Sequence, residues 1–202
     1  CNFDMSCMAA IVAGNSDMTF NDCTAECGSY FALTHCVNGW QEEVADITVT
    51  GGDIHTKKEC VLVKSHNMML DLCDVNISSD KGILVHTIVN DDPCATKVTK
   101  DVFGVNVVMT DMDVKGDLLH EDTTREMWVM LNSTQLTGAI QHANVAFDKG
   151  SKWVATADSD VVFVTDVEPA QIDAPAGVTI TAKGAQAGEF ALASGGKLIV
   201  TA

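Results

Sequence analysis

The chain has 202 residues and is strongly acidic, with 28 Asp and Glu against 12 Lys and Arg and a formal net charge of −16 at pH 7. This charge excludes a general nucleic-acid binder, which needs a basic surface, and it argues against electrostatic docking on anionic lipid. With 47% hydrophobic and 20% charged residues, the composition is that of a folded domain. No run of about 18 apolar residues occurs, so no membrane insertion is expected.

Short segments of alternating apolar and polar residues recur along the whole chain. Clear examples are residues 47–50, 70–72, 105–107 and 178–181. A two-residue period is that of a half-buried strand, and Thr, Val and Ile suit such a strand. Clusters of Gly, Asp, Asn and Ser separate the segments and predict turns. The sequence therefore predicts an all-β protein.

The strand segments also repeat. Residues 45–67 and 68–90 are consecutive blocks in which Ile47 aligns with Leu70 and Cys60 with Ile83. Further blocks extend the alignment and predict two inward-facing stacks, one of Val49, Leu72, Met109 and Leu131 and one of Ile54, Ile77, Val114 and Leu136. A repeat of roughly 22 to 29 residues that holds two or three short strands is typical of a solenoid.

The predicted fold is a right-handed parallel β-helix, in which each repeat forms one coil and coils stack at about 4.8 Å. The alternative is an antiparallel β-sandwich, which also has short, evenly spaced strands. A sandwich has no reason to keep one internal register through consecutive repeats, so the β-helix is favoured. We interpret residues 1–202 as a single domain with loop insertions near 34–44 and 91–104, and with smaller coils after about residue 144.

Three stretches carry a resemblance to a known group of proteins. Residues 47–54 (ITVTGGDI), 136–140 (LTGAI) and 148–153 (DKGSKW) resemble the β-helical repeats of bacterial surface proteins of the adhesin-like and autotransporter-passenger-like types. The resemblance implies a secreted or cell-surface protein. It also implies a non-catalytic module for adhesion, glycan binding or self-assembly, with a polysaccharide or a host surface protein as its partner.

The alternative function is that of a carbohydrate-active enzyme, because the β-helix fold also hosts polysaccharide lyases and hydrolases. Fold alone does not choose between the two functions. Arg125 is the only arginine and lies in a strongly charged segment, which predicts a solvated turn rather than a catalytic base. The acid pairs Asp158/Asp160 and Asp111/Asp113 are interpreted as turn residues. The six histidines show no metal-ligand spacing and are expected at or near the surface, so no catalytic residue is predicted.

Acidic residues align in two neighbouring columns of the repeat. One column joins Asp53, Asn76 and Asp113, and the other joins Asp74 and Asp111. Stacked coils would bring these carboxylates close together, and such oxygen-rich sites suit Ca²⁺. The sequence therefore predicts a weak divalent-cation site with Asp53, Asp74, Asp111 and Asp113 as candidate ligands. The alternative is that these residues form a solvated acidic edge at turns.

Two further features leave open expectations. All eight cysteines lie in the first half of the chain, either as small buried side chains or in disulfides, for which Cys1–Cys7 and Cys27–Cys36 are the candidate pairs. The chain also ends on an apolar strand segment. Because an uncapped solenoid edge invites another strand, residues 198–200 are expected to be covered by a loop or a neighbouring chain, and self-association through this C-terminal edge is predicted.

Overall fold

The computed structural model describes residues 1–36, 43–93, 103–122 and 124–202. Over these residues the chain forms a parallel β-helix, because each strand pairs in parallel with the equivalent strand of the next coil. The predicted all-β, parallel β-helical fold is confirmed, and the β-sandwich alternative is not observed. No described helix is long and apolar enough to cross a membrane.

The strands are short and follow one another at regular intervals. In chain order they are β1 (Asn2–Met5), β2 (Ala10–Val12), β3 (Ser16–Cys27), β4 (Ala32–His35), β5 (Val44–Thr56), β6 (Val61–Lys64), β7 (Asn67–Cys73), β8 (Asn76–Ser79), β9 (Ile83–Ile88), β10 (Val105–Thr110), β11 (Asp113–Lys115), β12 (Asp117–His120), β13 (Met127–Asn132), β14 (Gln135–Thr137), β15 (Ile140–Phe147), β16 (Lys152–Val154), β17 (Ser159–Phe163), β18 (Ile172–Asp173), β19 (Thr179–Lys183), β20 (Gly188–Ala191) and β21 (Lys197–Thr201). A single 3₁₀ turn, Pro169–Gln171, precedes β18.

Each coil passes through three sheets. Sheet 1 contains the first halves of β3 and β5, then β7, β10, β13 and the end of β15. Sheet 2 contains β1, the second halves of β3 and β5, then β8, β11, β14, β16 and β18. Sheet 3 contains β2, β4, β6, β9, β12, the start of β15, and then β17, β19 and β21. Like β15, β17 continues into sheet 1, where its end pairs with Asn144 and Val145.

The register of the sheets confirms the first predicted inward stack and two pairs of the second. In sheet 1, Leu72 pairs with Val49 on one side and with Met109 on the other, and Met109 pairs with Leu131. In sheet 2, the second stack pairs Ile54 with Ile77 and Val114 with Leu136. All eight side chains are buried. Apolar side chains of successive coils therefore stack on one another along the axis, as the alternation of the sequence requires.

The corner between sheets 1 and 2 is a tight turn built on one backbone conformation. The residue at this corner has a positive φ in five successive coils, at Asp22, Gly51, Asp74, Asp111 and Ser133. Asp, Ser and Gly tolerate this left-handed conformation better than bulkier residues. The acidic column predicted from the sequence thus coincides in part with a column of turn residues.

The coils near the C-terminal end are smaller, as predicted. Met109 pairs with Leu131, 22 residues further on, whereas Val145 pairs with Phe163 and Ile180 pairs with Leu198, each only 18 residues further on. The predicted insertions near 34–44 and 91–104 fall largely on residues 37–42 and 94–102, which lie outside the described residues. Both lie between the end of a sheet 3 strand and the start of a sheet 1 strand.

The C-terminal edge is covered by the chain itself. β20 folds back and pairs antiparallel with β21, which places Phe190 beside Leu198 and Glu189 beside Ile199. The predicted covering of residues 198–200 is therefore confirmed, with a strand of the same chain as the cover. Self-association at this end stays a prediction, and β20 is the strand that would make the contact.

Candidate functional site

The four predicted cation ligands lie on the sheet 1–sheet 2 corner and on sheet 2. Asp74 and Asp111 are the left-handed corner residues of their coils, while Asp113 begins β11. Asp53 pairs with Asn76, whose side-chain amide donates a 2.9 Å hydrogen bond to the Asp53 carboxylate. All four carboxylates are exposed. Within the described ranges no group of three or more His, Cys, Asp or Glu side chains is arranged to hold a metal ion, and the calcium site stays a prediction.

The outward surface of sheet 1 carries an exposed aromatic side chain, Trp128. In β13 the side chains of Met127, Val129 and Leu131 point inward, so Trp128 and Met130 point outward, with 39% and 46% of their surface exposed. Trp128 pairs with Asn106 on one neighbouring strand and with Asn144 on the other. An indole ring is thus flanked on both sides by side-chain amides.

Half-buried apolar side chains extend this region along the sheet. Val108 lies directly between Asp71 and Met130 in the ladder, and Met69 pairs with Asn106. We call this region the Trp128 surface; it comprises Met69, Asn106, Val108, Trp128, Met130 and Asn144. It is an open, strand-paired surface and so suits a ligand that lies across several strands.

One margin of the Trp128 surface is acidic. Asp46 pairs with Met69, and Asp71 pairs with Thr48, so the two carboxylates lie diagonally opposite each other on β5 and β7. Partial burial raises the pKa of Asp71, and the nearby Asp46 carboxylate raises it further. Asp17, which pairs with Asp46, continues this acidic margin.

A second polar region is buried at the corner where sheet 3 passes into sheet 1. The side chain of Arg125 is fully buried there. Its Nε donates to the Asn67 side-chain oxygen at 3.2 Å, and its Nη1 lies 3.6 Å from the buried Asp122 carboxylate. Burial lowers the pKa of Arg125, and Asp122 opposes that effect. The prediction of a solvated turn at Arg125 is therefore wrong.

Two asparagines form hydrogen bonds with the backbone segments on either side of the insertions. Asn67 donates to the Glu43 carbonyl at 3.1 Å, and its oxygen accepts from the Gly104 amide at 3.1 Å. Asn90 donates through its side chain to the Cys36 carbonyl at 2.8 Å. We call these ties, together with Arg125, Asp122, His66 and His120, the corner network. It satisfies backbone groups that the sheet ladders leave open.

Two histidines of the corner network are buried, which contradicts the prediction that all six lie at or near the surface. His66 is fully buried, and neither ring nitrogen has a hydrogen-bond partner in the described part of the chain. Burial lowers its pKa to about 4, and Arg125 and His35 contribute. His120 donates from Nε2 to the Arg125 carbonyl at 3.0 Å, and its Nδ1 is hydrogen-bonded to the Thr87 hydroxyl at 2.5 Å. Burial lowers the pKa of His120, which favours the neutral imidazole.

The described cysteines fit the buried-side-chain interpretation only in part. Cys23, Cys27 and Cys60 are buried, and burial raises the pKa of Cys60 to about 12, whereas Cys1 and Cys7 are exposed. Cys1, Cys7 and Cys27 are free thiols, so neither of the two disulfides considered from the sequence is formed.

A shallow polar groove lies on sheet 3 near the C-terminal end. Its walls include Gln141, His142, Asp160 and Thr181. His142 has a positive φ at a register shift in β15, and its Nδ1 is 3.9 Å from the Asp160 carboxylate. Asp158, at the groove edge, accepts at 2.8 Å from the backbone amide of Thr179 in the next coil. Its predicted partner in the acid pair, Asp160, lies within β17 and is not a turn residue.

Comparison with known proteins gives no likeness on which a function could rest. No protein family model, no curated protein and no solved structure matches this chain.

Proposed function

We propose that this protein is a secreted or surface-displayed, non-catalytic binding module whose Trp128 surface binds a carbohydrate chain. The observation that carries the proposal is the exposed indole of Trp128 between the side chains of Asn106 and Asn144. Aromatic rings offer a flat apolar face on which the C–H groups of a sugar ring can stack. Amides donate and accept hydrogen bonds, as sugar hydroxyls require.

The exposure of Trp128 and Met130 supports a role of these side chains in binding rather than in folding. Both side chains point away from the core. Half-buried Val108 pairs with Met130, and half-buried Met69 lies one strand further on, across Asn106 from Trp128. A contiguous apolar region on the wall of a soluble domain is typical of an interaction site. The parallel strands beneath it are paired on both sides, so the region is held rigidly and loses little entropy when a ligand binds.

The openness of the surface favours a polymer over a small ligand. Small-molecule sites are usually concave and enclose most of their ligand, whereas the Trp128 surface is an exposed strand-paired sheet. A polysaccharide that crosses the strands along the solenoid axis would contact Asn106, Trp128 and Asn144 in turn, at intervals of about 4.8 Å.

The test is binding to a panel of immobilised neutral, acidic and amine-bearing oligosaccharides. We expect at least one class to bind the intact protein and to lose binding in Trp128→Ala. The matched control is Val154→Ala, because Val154 is 38% exposed on sheet 2 and should bind as the parent does. Retained binding in Trp128→Ala, or no binding to any class, would contradict the proposal.

A second candidate, a carbohydrate-active enzyme, is favoured by one observation. Asp46 and Asp71 lie diagonally opposite each other, and the pKa of Asp71 is raised by burial and by Asp46. A pair of carboxylates with one raised pKa is the arrangement used for general acid catalysis at glycosidic bonds. Release of new reducing ends that stops in Asp71→Asn would favour the enzyme; binding without product release favours the module.

A further inference from the structure

We infer that the carbohydrate recognised by the Trp128 surface is a polymer carrying protonated amines, such as a chain of glucosamine units. This inference rests on the proposed function and adds the chemical class of the ligand. It is carried by the charges that flank the apolar residues of the surface and by the charge of the whole chain.

The acidic margin lies in line with Trp128 along the solenoid axis. One outward column runs from Asp46 through Met69 and Asn106 to Trp128, and its neighbour runs from Asp71 through Val108 to Met130. At about 4.8 Å per strand, Asp71 lies roughly 10 Å from Met130, and Asp46 roughly 14 Å from Trp128. A sugar chain stacked on Trp128 that extends toward β5 therefore passes both carboxylates.

These carboxylates have no cationic partner of their own. Asp17, Asp46 and Asp71 form no ion pair with Lys, Arg or His in the ranges that the structure describes. The like charge of Asp46 and the partial burial of Asp71 raise the pKa of the latter. A protonated amine placed between them relieves this repulsion and gives charge-assisted hydrogen bonds.

The net charge of the whole protein also favours a cationic ligand. With a net charge of −16 the protein attracts cationic polymers and repels anionic ones over several ångströms of solution. A polymer of uronic acids would bring further carboxylates against Asp46 and Asp71. A neutral polymer would use Trp128 and the two asparagines but leave the acidic margin unpaired.

The experiment is calorimetric titration at low ionic strength with three oligosaccharides of equal length, built from glucosamine, N-acetylglucosamine or galacturonic acid. We expect the glucosamine oligomer to bind about tenfold more tightly than its acetylated counterpart, a difference of about 1.4 kcal/mol. Asp46→Asn and Asp71→Asn should each reduce this preference. Asp4→Asn, which removes an exposed carboxylate on sheet 2, should preserve it.

The outcomes separate the inference from the proposed function. If both oligomers bind equally and both depend on Trp128, the amine preference is wrong and the carbohydrate module stands. A glucosamine preference that survives both Asp46→Asn and Asp71→Asn also overturns the inference. Absence of binding to all three oligomers overturns the inference together with the function on which it rests.

Discussion

The same corner of the β-helix is built in two ways along the chain. In the early coils the sheet 3 strand and the sheet 1 strand that follows it are separate, as β9 and β10 are. The corner network fills the space between them. In the late coils β15 runs from sheet 3 into sheet 1 without a break, turning only at His142. Where an insertion interrupts the coil at this corner, buried side chains must form hydrogen bonds with the open backbone groups. Where one continuous strand passes the corner, the sheet ladders form these hydrogen bonds.

The two halves therefore depend on different interactions. The early coils need a few buried polar residues, above all Asn67 and Arg125, whose side chains connect positions far apart in sequence. The late coils need apolar packing, as of the fully buried Trp153. The predictions below separate these two contributions.

The largest effect is expected from the interior stack that both halves share. Leu72→Asp places a carboxylate between Val49 and Met109 in the closed interior. Burying an unpaired charge costs more than the usual stability of a domain can offset, so at least the adjacent coils should unfold in circular dichroism and proteolysis. Asn106→Asp, an outward position on β10, is the control and should stay folded. A folded Leu72→Asp would refute the stack.

The next largest effect is expected at the corner network. Arg125→Met leaves the buried Asp122 carboxylate without its cation and should cost about 3–5 kcal/mol in urea unfolding. The double variant Arg125→Met/Asp122→Leu should recover part of that loss. Lys183→Met, an exposed position on β19 in the late coils, should change little. Equal losses of stability in Arg125→Met and Lys183→Met would show that the early coils do not depend on the corner network.

Acid should weaken the early coils through His66. Its pKa is about 4 in the folded protein and about 6.5 when unfolded, so the unfolded chain binds more protons between these values. Stability is therefore complete above about pH 6.5 and should fall by roughly 2–3 kcal/mol toward pH 4. The charges that face His66 include Arg125 and His35.

The pH effect is measured by urea unfolding across this range. His66→Leu should flatten the slope, whereas His142→Leu, at the exposed corner residue of the late coils, should leave it unchanged. A slope that persists in His66→Leu assigns the acid sensitivity to another group.

The smallest effect is expected for calcium at Asp53, Asp74, Asp111 and Asp113. A weak site held at tenfold excess over its dissociation constant should add about 1.4 kcal/mol, which corresponds to roughly 3–6 °C in the melting temperature of a chain of this size. The measurement compares melting with calcium and with chelator at fixed ionic strength. Identical midpoints would leave these residues with the turn role that the φ values of Asp74 and Asp111 indicate.

The register of the core could be predicted from the sequence because it depends on local alternation. The pairings of Ile47 with Leu70 and of Met18 with Ile47 follow from the repeat, since each inward position must stack on another. Strand periodicity and repeat spacing together therefore gave the fold and the inward positions of both stacks.

The corner network could not be predicted because its burial is a long-range effect. Arg125 lies in a locally charged segment, and its contact with Asn67 spans 58 residues. One signal was present in the sequence, since Asn67 and Asn90 occupy equivalent positions of consecutive repeats. For Trp128 a signal was also present, because the repeat places Leu131 inward and alternation then puts Trp128 on the outward face of β13.

Whether a bound carbohydrate covers Trp128 is the most direct test of carbohydrate binding at the Trp128 surface. Trp153 is fully buried, so in a Trp40→Phe variant the quenching of tryptophan emission by acrylamide reports on Trp128. We predict that saturating glucosamine oligomer reduces this quenching and shifts the emission. Binding seen by calorimetry with unchanged quenching would place the ligand elsewhere and contradict the assignment of the Trp128 surface.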